Sequence, residues 1–250
     1  MKKPMITAHS GCEETRDDSM ESIDLALEYG ADAIEIDVRV DKNGTLRISH
    51  NEASTEEFQQ KLTLDDVFAK ILNTGLSVNC DIKEQAALYP TLAAAKKTGL
   101  SPERLILSGC TSPDILARDP SLIQRGQFFL NIEEVLKLIY LRRERDFDIQ
   151  RFPLLMRDPW KILKENGMEI RDEWVEDTVQ CYKMVHAAAA NLPKTLLNSN
   201  LVSALKAASV PLSIWTVNEP ELVTLCLNTG VCNITTRKVQ QAIEITEKYS

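Results

Sequence analysis

Apolar and polar residues alternate strictly through Ala33–Val40. Ile34, Ile36, Val38 and Val40 fall on one face of an extended strand, and Glu35, Asp37 and Arg39 on the other. Asp41-Lys42-Asn43-Gly44 follows, and its Asn-Gly pair is a strong hairpin signal. Thr45–Ser49 reads as a short return strand ending on His50, which the hairpin carries back towards the carboxylates. Further short apolar runs predict strands over Met5–His9, Leu76–Ile82, Arg104–Leu107, Gly126–Leu130, the alanine-rich His186–Asn191, Pro211–Val217 and Gly230–Thr235. Between them lie helical patterns. Met20–Tyr29 is capped by Ser19 and ended by Gly30, and Leu64–Leu72 is capped by Thr63. Others are Pro90–Lys97, Ile115–Ala117, Glu133–Arg145, Trp174–Val185, Asn200–Ala208, a helix ending at Asn228, and Lys238–Tyr249. Glu52–Lys61 reads as a polar connection. Phe147–Asp172 reads as an extended connection holding a short helix over Trp160–Asn166.

Strand and helix alternate about eight times, which predicts a parallel sheet. Eight such units in 250 residues match a closed (β/α)8 TIM barrel, a single α/β domain over residues 1–250. A doubly wound open sheet is the alternative. The lack of a G-x-G-x-x-G or P-loop weakens its nucleotide-binding form.

Composition narrows the function. The chain carries 37 acidic and 29 basic residues, a formal net charge of -8. That weighs against nucleic acid or an anionic membrane as the main partner. The N-terminus lacks an apolar signal-peptide core, and no apolar run is long enough to span a bilayer, so the expected compartment is the cytoplasm. Six scattered cysteines without a C-x-x-C spacing read as buried thiols rather than disulfides or zinc ligands.

The candidate chemistry lies at strand ends. Glu35 and Asp37, at i and i+2, converge on one point. If buried, they repel each other and each must be desolvated. A hard divalent cation relieves both problems, and a solvated or ion-paired strand face is the other reading. Asp81 and Lys83 lie near the end of the third barrel strand, where an ion pair is the plain explanation. In a barrel, however, chemistry sits at the C-terminal ends of strands. His9, Glu35, Asp37, Asp81, Lys83 and Trp215 all fall there together.

The same residues carry a family resemblance. Ala8-His9-Ser10-Gly11, Arg16-Asp17-Asp18-Ser19, Gly30-Ala31-Asp32-Ala33-Ile34-Glu35-Ile36-Asp37-Val38 and His50-Asn51 occur in that order. Asp81-Ile82-Lys83, Trp215-Thr216-Val217-Asn218 and Gly230-Val231-Cys232-Asn233-Ile234-Thr235-Thr236 follow. This series resembles the glycerophosphodiester phosphodiesterase family, whose motifs run A-H-R-G, P-E-N-T, G-A-D-x-x-E-x-D-V, H-D, E-x-K, W-T-V-N and G-V-D-x-I-x-T. The resemblance implies a TIM barrel that cleaves glycerol-linked phosphodiesters to glycerol 3-phosphate and an alcohol. It implies a divalent metal, Mg²⁺ or Ca²⁺, on Glu35, Asp37 and Asp81. It makes His9 and His50 the general acid/base pair and Lys83 a cation beside the phosphate. Trp215 becomes an aromatic wall of the substrate pocket, with Ser10 and Asp17 as further substrate contacts. The partner is then a small molecule, without stable membrane insertion, and the oligomeric state is left open.

The departures are specific. The arginine after the first histidine is Ser10, and a hydroxyl cannot replace a bidentate guanidinium. Lys83, Arg16 or Arg39 would have to compensate, unless phosphate binding is weaker or the substrate differs. Asn51 in place of aspartate removes the carboxylate expected to orient His50. Residues 51–81 leave no room for a large capping insertion, which predicts an open site. Alternatives are a related phospholipase-type phosphodiesterase, or a catalytically altered barrel that binds a phosphorylated ligand.

Overall fold

The computed structural model describes residues 3–52, 55–143 and 172–249. Eight parallel strands form the barrel. They are β1 (Met5–Ala8), β2 (Ala33–Val40), β4 (Ser77–Ile82), β5 (Leu105–Gly109), β6 (Gln127–Asn131), β7 (Ala189–Pro193), β8 (Leu212–Trp215) and β9 (Asn233–Thr236). Strand β1 pairs with both β2 and β9, so the sheet closes on itself. The expected (β/α)8 barrel is thereby borne out over the open sheet. The return strand β3 (Leu46–Ile48) lies antiparallel on β2, with Val38 opposite Ile48.

Helices α1 (Met20–Glu28), α2 (Thr55–Gln59), α3 (Leu64–Ile71), α4 (Leu88–Thr98), α5 (Pro113–Arg118), α6 (Ile132–Arg143), α7 (Asp172–Met184), α8 (Asn200–Ala207), α9 (Pro220–Thr229) and α10 (Val239–Tyr249) accompany the strands. Helix α3 shows how sequence becomes packing. The Thr63 hydroxyl accepts from the Asp66 N–H at 3.1 Å, and the Asp66 carboxylate accepts from the Thr63 N–H at 3.0 Å, a complete capping box. Leu64, Val67, Phe68 and Ile71, at i, i+3, i+4 and i+7, are all buried. Burying a side chain such as Phe68 contributes roughly 1.5–3 kcal/mol. Among the described residues no helix is long and apolar enough to cross a membrane. None of the six cysteines forms a disulfide, and four of them are buried.

Two expectations shift. A helix, α2, forms within the stretch read as a polar connection. Its one buried apolar side chain, Phe58, is too little to make a periodic signal. Strand β7 begins three residues later than expected, because His186 sits exposed in a turn at φ +52. A run of alanines offers no alternation from which to read register. The helix expected over Trp160–Asn166 lies outside the described residues.

The two faces of the barrel wall differ in kind. Outward side chains such as Ile34, Ile36, Val78, Ile82, Leu107, Leu130 and Ile214 pack under the helices in one continuous apolar layer. Inside, a small plug of Ile106, Phe129 and Ala189, packed with Met5, fills the N-terminal end. Above it the interior turns polar. Thr7 donates to Asn233 at 2.6 Å, Asn233 to Ser213 at 2.8 Å, Ser213 to Asn191 at 2.8 Å, and Asn191 to Asn131 at 2.7 Å. Ser108 donates to Asn79 at 3.0 Å. Asn131, Asn191, Ser213 and Asn233 are successive register partners on neighbouring parallel strands, so they share one level, and with Thr7 they satisfy one another. Branched aliphatic residues usually fill this space in such barrels. Here the belt makes a polar floor beneath the C-terminal mouth.

Candidate active site

At that mouth a cleft of about 260 Å³ is lined by His9, Glu35, Asp37, His50, Asn79, Asp81, Lys83, Ser108, Asn131, Asn191, Trp215 and Thr235. Strand β2 aims Glu35 and Asp37 inward, and both are buried. Asp37 is the register partner of Asp81 on β4. One carboxylate oxygen from each of Glu35, Asp37 and Asp81 lies within 4.8 Å of the others. Burial first, then the charges of Asp37 and Asp81, push the Glu35 carboxyl well above the usual range. An all-oxygen donor set that is mutually repelling, with two of its three carboxylates buried, fits a hard divalent cation.

Lys83 partly offsets that repulsion. Its ammonium lies 2.6 Å from Asp37 Oδ1 and contacts Asp81 as well. Burial alone would lower its pKa, but Asp81 and Asp37 outweigh burial and raise it, so Lys83 stays charged. Glycine is required beside this group. Gly109 has φ +74, and a Cβ there would stand 2.4 Å from both Asp81 Oδ1 and the Ile82 carbonyl oxygen.

The two histidines flank the carboxylates. His9 Nδ1 lies 2.9 Å from the Ser10 carbonyl oxygen and 3.8 Å from Glu35 Oε2. A carbonyl only accepts, so Nδ1 carries the proton and Nε2 keeps its lone pair when the ring is neutral. Burial is the main cause that lowers the His9 pKa below its ordinary value, and the nearby Arg237 charge adds to it. His50 arrives on the β2–β3 hairpin. Its Nδ1 lies 3.1 Å from Asp37 Oδ2, and its backbone N–H donates to Asp18 Oδ2 at 3.1 Å. The carboxylate missing at Asn51 is therefore supplied to His50 by Asp37.

The remaining expected residues differ in how near they come to the carboxylate triad. Ser10 is buried; its hydroxyl accepts from the Asp18 N–H at 2.8 Å, and its own N–H donates to Glu35 Oε2 at 3.1 Å. Asp17 is at the rim, 2.8 Å from Arg237 Nη1. Arg39 is engaged by Glu84 at 3.0 Å and by the His50 carbonyl at 3.2 and 3.1 Å. Trp215 lines the cleft.

Sequence reasoning did not single out Arg237, Glu133 or the amide belt. Arg237 directly follows the last strand, and that position was its only signal. The belt was legible as polar residues at the inward parity of successive strands. Glu133, in the first turn of α6, has a buried Oε2 with no hydrogen-bond partner among the described residues, and burial pushes its carboxyl up to about 7.

Comparison with known proteins places these features. Residues 9–59 match the glycerophosphoryl diester phosphodiesterase family model. The resemblance drawn from the sequence is borne out by that match, which takes in His9, Glu35, Asp37 and His50. Asp81, Lys83 and Trp215 lie beyond it. Among solved structures, a glycerophosphodiester phosphodiesterase from Thermotoga maritima is 19% identical with a TM-score of 0.68, covering 98% of this chain and 99% of its own. A putative glycerophosphoryl diester phosphodiesterase from Agrobacterium tumefaciens is 12% identical with a TM-score of 0.73, covering 99% of each chain. An Oleispira antarctica phosphodiesterase, solved with the product sn-glycerol-3-phosphate, is 17% identical with a TM-score of 0.66, covering 98% of this chain and 97% of its own. At these identities the likeness establishes the shared barrel. A comparison with curated proteins gave no match. The family match, with this fold, supports the class of phosphoric diester hydrolases.

Proposed function

We propose that the protein hydrolyses glycerophosphodiesters to glycerol 3-phosphate and an alcohol, using a divalent metal and a histidine pair. One observation carries this reading: two histidines, three carboxylates and a lysine converge on a single cleft at the C-terminal mouth. The product bound to the Oleispira antarctica relative supports the same substrate class.

Glu35, Asp37 and Asp81 would hold the cation. When bound, it would neutralise the phosphoryl oxygens and polarise the phosphorus for attack. The chain's own groups do the rest. Neutral His9 presents the Nε2 lone pair, because its Nδ1 proton is held by the Ser10 carbonyl. With its pKa lowered by burial, it is unprotonated near pH 7 and accepts the proton of the attacking hydroxyl. His50 is held through Nδ1 by Asp37, which leaves Nε2 to deliver a proton to the departing alkoxide. The phosphorus–oxygen bond to the alcohol breaks as the bond to the attacking oxygen forms. Lys83 has three N–H donors, and two face carboxylates, so the third is free for a non-bridging phosphoryl oxygen. The polar floor gives glycerol hydroxyls hydrogen-bond partners that an aliphatic floor would lack. Between His50 and Asp81 the described residues form the two short helices α2 and α3 ahead of β4, in keeping with an uncapped site that admits varied alcohols.

The test is release of glycerol 3-phosphate from a panel of glycerophosphodiesters with Mg²⁺, Ca²⁺ or chelator. Metal-dependent release that Glu35→Ala abolishes is expected. No release from any diester, with metal bound, would refute the hydrolase reading and favour a barrel that only binds a phosphorylated ligand.

A further inference from the structure

We propose that Arg237 is the guanidinium that receives the substrate phosphate in this chain, in the role of the arginine lost at Ser10, with Asp17 holding it in place. The inference rests on the phosphodiesterase reading and adds a residue to that site from the opposite end of the sequence.

Topology brings Arg237 to the right place. Strands β1 and β9 are neighbours, with Ala8 opposite Thr236, and the His9 N–H donates to the Thr236 carbonyl at 2.8 Å. Arg237 is therefore the next residue on β9's path, level with His9. It has the parity of Asn233 and Thr235, both of which face the interior, and Thr235 lines the cleft. Its backbone is anchored. The Arg237 N–H donates to Asn218 Oδ1 at 2.9 Å, and its carbonyl accepts from the Glu13 N–H at 2.8 Å.

The side chain reaches back over the His9-Ser10-Gly11 turn. Gly11 has φ +72, and a Cβ on it would stand 2.8 Å from Arg237 Nη1 and 1.9 Å from Asp17 Oδ1. The turn lacks a side chain where the ion pair lies. Asp17 takes Nη1 at 2.8 Å, one of five N–H donors on the guanidinium, which leaves a fork for phosphate oxygens. The pair is half-exposed at the rim, where such pairs add little to stability. A role in holding an anion accounts for it better than a role in folding. The charge is also felt at His9, whose protonation Arg237 disfavours.

Of the three cations suggested for this role, Arg16 is exposed on the loop before α1, and the other two are paired with carboxylates, Lys83 keeping one N–H to add to the phosphate site. Arg39 is bound to Glu84 and the His50 carbonyl, and Lys83 to Asp37 and Asp81. Arg237 thus stands where the guanidinium missing at Ser10 is needed. The arginine comes from after the last strand instead of after the first.

Full-length wild type, Arg237→Ala and Arg237→Lys would be compared, with Mg²⁺ present and folding checked by thermal melts. Calorimetry would measure binding of inorganic phosphate and sn-glycerol 3-phosphate, and steady-state assays would give kcat and KM on the diesters. Arg237→Ala is expected to lose about 100-fold in kcat/KM and to bind phosphate about tenfold more weakly, with partial rescue by added guanidinium ion. Arg237→Lys, which keeps the charge beside Asp17 but not the fork, is expected to fall between, and it decides the matter if the alanine variant does not fold. Phosphate binding and turnover within threefold of wild type in the folded variants would overturn the proposal. If wild type itself turns over no diester, the hydrolase reading fails alone. Phosphate binding then judges Arg237: weakened in the variant, the proposal stands; unchanged, it falls.

Discussion

The imidazole Nδ1 of His50 lies 3.1 Å from Asp37 Oδ2, thirteen residues away along the β2–β3 hairpin. The hairpin fixes that distance. The Ser49 N–H donates to the Asp37 carbonyl at 2.9 Å, and Asp41 closes the turn by accepting from the Asn43 and Thr45 N–H groups at 2.8 and 2.9 Å. The His50 side chain is 65% exposed, so it packs against little. His50→Ala should therefore reduce kcat by about 10²–10⁴-fold and leave the melting temperature nearly unchanged. A variant with near-wild-type turnover would remove His50 from acid/base chemistry.

Glu35 sits buried against two other carboxylates, with Lys83 as the neighbouring cation. Without metal, its charge is a cost to the folded state. Its folded pKa is raised, so the fold binds the proton more tightly than the unfolded chain does, and metal-free stability falls as pH rises above the ordinary carboxylate range. Glu35→Gln should raise the melting temperature in chelator by roughly 2–4 °C and flatten that pH dependence. The same variant should lose the stabilisation that Mg²⁺ gives wild type. Thermal scans across pH, with and without Mg²⁺, test both signs. A lower melting temperature in chelator would show that Glu35 is held by favourable contacts rather than strained by repulsion.

Gly109 has no room for a methyl group, since a Cβ would press on Asp81 and on the Ile82 carbonyl. Gly109→Ala must also hold φ near +74. It should destabilise the fold by about 1–3 kcal/mol and displace Asp81, weakening divalent-metal affinity. Denaturant melts and metal titrations would show the two losses together. Wild-type metal affinity would mean that Asp81 is not a ligand.

Burial, reinforced by Arg237, disfavours the protonated form of His9. A general base must be unprotonated, so the acid limb of kcat/KM should turn at a pH below the ordinary histidine value of 6.5. In Arg237→Ala one lowering influence is gone, and the turn should move to higher pH. A limb at or above 6.5 in wild type would exclude His9 as the base.

Much of this site was legible in one dimension, for definite reasons. The alternation through Ile34–Val40 has the two-residue period of a pleat, and a pleat sends Glu35 and Asp37 to the same side wherever the strand lies. Asn43-Gly44 is a local turn signal, so the return of His50 needed no long-range information. Helix α3 was readable from Thr63 to Ile71 because its cap and its apolar period agree. Strand β7 was placed three residues too early because alanines carry neither period, and α2 was missed because it rests on Phe58 alone.

Local chemistry determined the strands, the hairpin, the caps and the identity of the acids, bases and charged groups, because each depends on neighbours a few residues apart. Closure of the barrel decided the rest. It set Asp81 beside Asp37, assembled the amide floor from strands up to 226 residues apart, as with Thr7 and Asn233, and laid Arg237 against Asp17. Those contacts depend on the register between strands, which hydrogen bonding around the closed sheet imposes and no local run of residues encodes.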